Sequence, residues 1–282
     1  MERSEIYSNE ELVKIQQLET ETLKEVLSIC EKLGIEAFLI GGTALGTVRH
    51  GGFIPWDDDI DIGLTREDYN VFLEKAPALL SEKYSLQTPY NGKKNPYFYS
   101  KVRIKDTKFI EYCNRNLDIN QGVYIDVFPF DEVPDNEEEN INQFKKVQKL
   151  ILLFTYRQSP DMLNRKPKVL LDYIKTIILR ILHYLLKLIP HDFIVKKIDF
   201  YMTKYNGTGQ KALACLNFPK RKTEYILKKN LYPLQECKFG EVKAKLPNNA
   251  DEYLKTHYGN YMQLPPPELR YGHKPFIVDI GN

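Results

Sequence analysis

At 282 residues the chain is long enough to bury a sizeable core, as one elaborated domain or as two. A formal net charge of +2 excludes nucleic-acid binding driven by bulk charge, and no nucleic-acid partner is expected. Cys30, Cys113, Cys215 and Cys237 are widely spaced with no C-x-x-C pair, which argues against a disulfide framework or a zinc site and for free thiols in a reducing compartment.

Met1 to Asn9 is polar and lacks the apolar core of a signal peptide, so the chain reads as cytoplasmic. Ser8-Asn9-Glu10-Glu11 has the form of a capping box, and apolar residues follow at helical spacing from Leu12 to Leu33. Gly34 ends that helix. Ala37 to Ile40 then reads as a buried strand, Thr43 to His50 as a short helix, and Asp58 to Leu64 as a second strand. Thr65-Arg66-Glu67-Asp68 opens the next helix, which continues through Tyr69, Phe72 and Leu73.

The stretch from Leu39 to Gly63 carries the chemistry. Gly41-Gly42-Thr43 stands where a strand hands over to a helix, a place where free backbone N–H groups cradle phosphate. Side chains in a strand alternate between faces, so Asp59 and Asp61 point one way and Ile60 and Ile62 the other. Two carboxylates on one face of a buried strand repel each other, and a hard divalent cation neutralises them, Mg²⁺ first and Mn²⁺ as the alternative. Asp57 shares their parity at the strand mouth, and Asp58 faces away, placed to cap or to bond backbone. Both stay outside the metal set.

Tyr84 to Gln87 is a strand leading to a turn at Asn91-Gly92. Pro96 to Ile104 alternates, with Tyr99, Lys101 and Arg103 on one face, and Thr107 to Glu111 reads as a partner strand. Gly122 to Pro129 is an apolar strand interrupted by Asp126, a carboxylate that needs a partner or a metal. Asp131 falls past Pro129 and reads as a turn residue. A helix is expected from about Asp135 to Tyr156, then a polar connection over 157–167.

Residues 168–187 form an apolar helix with polar positions on one face. Its charges are too frequent for a spanning segment. The apolar face packs on the core, or it lies in a membrane interface as a peripheral contact. Another helix follows over Asp192 to Tyr205. The last part reads as a small lobe: a strand at Ala212–Leu216, a hairpin over 234–246, a helix at Ala250–Tyr258, and extended Leu264 to Pro267. His257 and His273 stand isolated in sequence and read as surface residues. Trp56 reads as a packing anchor, and Arg49 and His50 end the short helix.

Gly-Gly-Thr, a short helix and Asp-Ile-Asp-Ile, with Arg49-His50-Gly51-Gly52-Phe53-Ile54-Pro55-Trp56-Asp57-Asp58-Asp59 between them, resembles the LicD branch of the polymerase-β-like nucleotidyltransferase superfamily. The likeness is dense from Ile35 to Asp131 and returns loosely at Tyr258 to Pro267. It implies an α+β fold: a mixed sheet flanked by helices, with a nucleotidyltransferase-like core over 1–131, a helical region over 132–210, and a C-terminal lobe over 211–282 completing the cleft.

The resemblance also implies a phosphotransferase that moves a phospho-alcohol, phosphocholine first, from a CDP-linked donor (CDP-choline) to a hydroxyl of a cell-surface glycan or its lipid-linked precursor. Asp126 matches the third metal ligand beside Asp59 and Asp61, and all three are the expected catalytic residues. They would hold two Mg²⁺ ions about 4 Å apart. Gly41, Gly42, Thr43, Arg49, Lys101 and Arg103 are the expected donor-phosphate contacts. The competing readings are a nucleotidyltransferase with an NTP donor and a non-catalytic membrane-associated binding module.

Overall fold

The computed structural model describes residues 7–91, 95–161, 166–273 and 275–281. Helix α1 (Asn9–Leu33) opens on the capping box, with Glu11 N–H donating to Ser8 Oγ and Ser8 N–H to Glu11 Oε2. Gly34 closes it in the left-handed conformation. Its inner face, Ile15, Leu23, Val26 and Ile29, is buried in the main core. Each such side chain contributes about 1.5–3 kcal/mol.

In chain order follow β1 (Phe38–Leu39), α2 (Gly41–His50), β2 (Asp61–Thr65), α3 (Arg66–Lys75), β3 (Tyr84–Gln87), β4 (Ser100–Ile104), β5 (Lys108–Ile110) and β6 (Tyr124–Val133). Then come α4 (Glu137–Gln158), α5 (Leu170–Leu186), α6 (His191–Met202), β7 (Ala212–Ala214), β8 (Tyr225–Leu227), α7 (Lys228–Leu231), β9 (Gln235–Phe239), β10 (Val242–Leu246), α8 (Ala250–Tyr258) and β11 (Ile277–Asp279). The fold is α+β, a mixed sheet flanked by helices.

The sheet runs β1-β2-β6-β4-β3, with β7 and β8 extending from the far end of β6. Strands β2 and β6 are parallel; the other pairs are antiparallel. Strand β6 changes neighbour midway: it pairs β4 up to Val127 and β7 from Asp131. Pro129 sits in the gap between those ladders, where its missing N–H breaks no pairing. Asp131 is therefore a buried strand residue and not the turn residue its place after a proline suggests.

Two further expectations change. Strand β5 pairs β11 near the C-terminus and not the neighbouring β4. Gly92 of the expected Asn91-Gly92 turn lies outside the described residues. Helix α5 packs on α4 through its polar side, burying His183 and Leu186, and turns its apolar side outward. Among the described residues no helix is long and apolar enough to cross a membrane. All four cysteines are free thiols.

Candidate active site

The sheet register builds the centre of the site. Asp61 on β2 is level with Asp126 on β6, and Asp126 with Lys101 on β4. One rung across three neighbouring strands thus carries acid, acid and base. Asp126 N–H donates to Ile60 O, which carries the pairing one residue upstream of β2 and fixes Asp59 beside it.

Lys101 is 2% exposed, and its Nζ lies 2.5 Å from Asp126 Oδ1. The ammonium is enclosed by the rings of Tyr124, Tyr97 and Tyr99, 3.5, 4.6 and 5.1 Å from their centroids. Burial pulls the Lys101 amine below its ordinary range, and Asp126 opposes that shift. Arg103 lies further along β4, where Nε donates to Gln87 Oε1 and Nη1 to Gly122 O. It braces the strand while adding positive field over the Tyr124 ring.

The N-terminus of α2 faces this rung. Gly41 N–H donates to Tyr253 Oη from α8, and Thr43 Oγ1 accepts from Asp61 N–H, clamping the helix to β2. The amides of Gly42 and Thr43 belong to the first helical turn, which leaves them without an intrahelical acceptor. A side chain at Gly42 would meet Asp57 Oδ2 at 2.9 Å, so the glycine makes room for that carboxylate over the helix end. Arg49, at the other end of α2, donates from Nη1 to Tyr261 O at 2.7 Å. Trp56 packs partly buried beside it, edge-on to His50 and beneath Arg270.

Two acids that sequence spacing does not single out also face the cluster. Glu19 of α1 is 1% exposed, and its Oε2 has no hydrogen-bond partner among the described residues. Burial and the charges of Asp59, Asp58, Asp57 and Asp126 push its carboxyl well up. Glu224, just before β8, is buried, accepts from Tyr253 Oη and lies beside Asp61 over Gly41. A lone Glu in a helix or loop carries no sequence signal for such a place.

Neither histidine is an isolated surface residue: His273 is hydrogen-bonded, and His257 lies close to a buried acid without a hydrogen bond to it. His273 donates from its backbone N–H to Asp58 Oδ1 at 2.8 Å and sets Nδ1 2.9 Å from the same oxygen, with Asp59 Oδ2 at 3.9 Å. Tyr7 donates to the other oxygen of Asp58. Asp58 thus bonds backbone and anchors the C-terminal segment, but it does not face away from Asp59: β2 begins only at Asp61, and both carboxylates converge on His273. Despite burial, Asp58 and Asp59 hold His273 up at about 10. His257 Nδ1 lies 2.9 Å from Glu224 Oε1. Both contacts are long-range in sequence, which is why isolation in the chain misleads.

The donor set fits a hard divalent cation. Burial pushes the carboxyls of Asp59, Asp61 and Asp126 up; Asp61 is raised further by Asp59, Asp126 and Glu224. Asp57 is pushed up to about 8 by burial, then by Asp59 and Asp58. These are oxygen donors whose mutual repulsion Lys101 and His273 offset in part and a bound divalent cation would offset further. Among the described residues the group whose ligand atoms all lie within 4.8 Å of one another is Asp58, Asp59 and His273, not Asp59, Asp61 and Asp126, and Asp58 and His273 are already bonded to each other.

A pH dependence follows. A carboxyl whose folded pKa is raised stabilises the fold at low pH and loses that contribution as pH rises through the folded value. With chelator, Tm is therefore expected to fall as pH climbs from about 5 to about 9, and Mg²⁺ to restore more at the high end. A chelated Tm that rises over that range in a thermal-shift titration would contradict this.

The family described as LicD/FKTN/FKRP, nucleotidyltransferase domain, matches residues 34–154, which span β1 through most of α4. The chain carries a LicD-family domain. It is 25% identical over 252 residues to the lipopolysaccharide cholinephosphotransferase LicD of Haemophilus influenzae, covering 87% of this chain and 89% of that protein. A shorter stretch of 48 residues is 46% identical to the ribitol 5-phosphate transferase FKRP of Homo sapiens, covering 17% of this chain and 10% of that protein. An uncharacterized protein of Rickettsia prowazekii, RP689, is 30% identical over 99 residues, 30% of this chain and 37% of that protein. The LicD-family domain holds α2, β2, Lys101 and Asp126; Tyr253, Glu224 and His273 come from outside it.

Proposed function

We propose that the protein is a metal-dependent phosphotransferase that moves a phospho-alcohol from a CDP-linked donor to a glycan hydroxyl. Phosphocholine, from CDP-choline, is the first candidate, because the relative matched over most of its length is a cholinephosphotransferase. The observation that carries the reading is the rung Asp61, Asp126 and Lys101 facing the N-terminus of α2 within a LicD-family domain. In this reading residues 1–131 supply the core, 132–210 the helical region, and 211–282 a lobe that closes the cleft through Tyr253 and Glu224.

Asp59, Asp61 and Asp126 would hold Mg²⁺, or Mn²⁺, which would neutralise the donor diphosphate and acidify the acceptor hydroxyl. The first-turn amides of Gly42 and Thr43 and the Arg49 guanidinium bind donor oxygens, with Gly41 held in place by Tyr253. Asp126 takes the proton of the acceptor hydroxyl. The acceptor oxygen then bonds the distal phosphorus as the bond to CMP breaks. Lys101, fixed by three tyrosine rings, keeps a positive charge beside that exchange, and Arg103 reinforces it.

The test is incubation of the whole chain with Mg²⁺ and a series of CDP-alcohols, reading CMP, beside NTPs, reading pyrophosphate. CMP release from one CDP-alcohol, lost on chelation, is the expected result. Pyrophosphate release from an NTP would replace the reading with nucleotidyl transfer. Release of neither, in the presence of glycan acceptor, would leave a binding module.

A further inference from the structure

Helix α5 is mounted inside out. Its inward face is Asp172, Thr176, Leu179, His183 and Leu186, seated on α4 through contacts such as His183 Nδ1 to Tyr156 O. The opposite face carries Leu170, Ile174, Ile177, Ile181 and Leu185 at helical spacing, exposed by 75, 44, 59, 57 and 58%. Leu188, just past the helix, is 81% exposed. An ordinary surface helix turns these residues inward. A contiguous apolar strip of this kind marks an interaction surface.

The strip's borders say what meets it. Tyr173 and Tyr184 stand three turns apart on one margin, both more than half exposed, with Arg180, whose guanidinium pairs with Asp161, between them. Lys175 lies on the other margin, and Lys168 and Lys187 stand at the two ends, all exposed. The acid of the helix, Asp172, is on the inward face, where its carboxylate accepts from Lys168 N–H. An apolar arc without acids, edged by tyrosine and by cations, matches the layers of an anionic bilayer surface: acyl chains, interface and phosphate.

We propose that α5 is an interfacial membrane anchor that lays its outward face into an anionic lipid surface. The helix lies parallel to the bilayer plane; the chain binds there without spanning. This goes beyond the transfer chemistry, and its readout needs no turnover.

The experiment is co-sedimentation of the full chain with vesicles of phosphatidylcholine alone and with about 30% phosphatidylglycerol. Binding to the anionic vesicles is expected, weakened at least about tenfold without the anionic lipid or in high salt. Ile177→Glu with Ile181→Glu should abolish pelleting while leaving the circular dichroism spectrum unchanged, because both side chains already face solvent. Lys175→Glu with Lys187→Glu should weaken it about tenfold or more. A wild-type chain that stays in the supernatant with both vesicles overturns the proposal. So does sedimentation velocity showing a lipid-free dimer that Ile177→Glu splits, since the strip would then be a subunit interface.

Discussion

Asp61→Asn is expected to lower turnover by at least about 10³-fold and to raise the metal-free Tm by about 2–4 °C. The two effects share one cause. Asp61 lies beside Glu224 over Gly41 and level with Asp126, and burial, followed by the charges of Asp59, Asp126 and Glu224, holds its carboxyl well above the usual range. An amide has the same shape, takes the same place over α2 and adds no charge to the cluster. Relieving one like charge there is worth on the order of 1 kcal/mol in the absence of metal. The same change removes an anionic oxygen donor for a hard cation, so Mg²⁺ should no longer raise Tm in the variant. Turnover is read as CMP release and stability by thermal shift with chelator. A variant that melts lower than wild type and still responds to Mg²⁺ would show that Asp61 is a structural acid.

The parts of the site that the sequence discloses are local. The capping box, the Gly34 stop, the helix opening at Thr65 to Asp68 and the alternation around Ile60 and Ile62 involve residues a few positions apart, and each appears in the structure at its expected place or within a few residues of it. Asp126 announces itself because an acid inside an apolar strand needs a partner. What the sequence does not disclose is lateral. That Asp61, Asp126 and Lys101 share a rung depends on how β2, β6 and β4 align, and no periodicity within one strand fixes the register of another. His273 meets Asp58, and Tyr253 meets Gly41, across more than two hundred residues of chain. Helix α5 shows a further limit: spacing reveals an apolar face but not its direction, and here it points to solvent.

Asp131 is a further case, and Arg66→Ala should expose its role with a loss of about 3–5 kcal/mol, about 6–20 °C in Tm. Arg66 opens α3 and grips Asp131 of β6 through two parallel hydrogen bonds, Nε to Oδ1 at 2.8 Å and Nη2 to Oδ2 at 2.6 Å. Asp131 is fully buried, and Asn206 Nδ2 also donates to its Oδ1 at 2.7 Å. Such a fork satisfies both carboxylate oxygens in a place that water does not reach. Its position explains why it matters: Asp131 begins the β7 ladder just past Pro129, where β6 has left β4. The pair therefore pins α3 at the point where the sheet changes neighbours. Truncating Arg66 leaves an uncompensated buried charge, whereas Arg66→Met combined with Asp131→Leu removes both charges and should recover most of the loss. Urea unfolding of wild type, the single variant and the double variant decides the matter. Should the single variant cost less than about 1 kcal/mol, the pair would rank with ordinary surface bridges, and β6 would owe its course to packing alone.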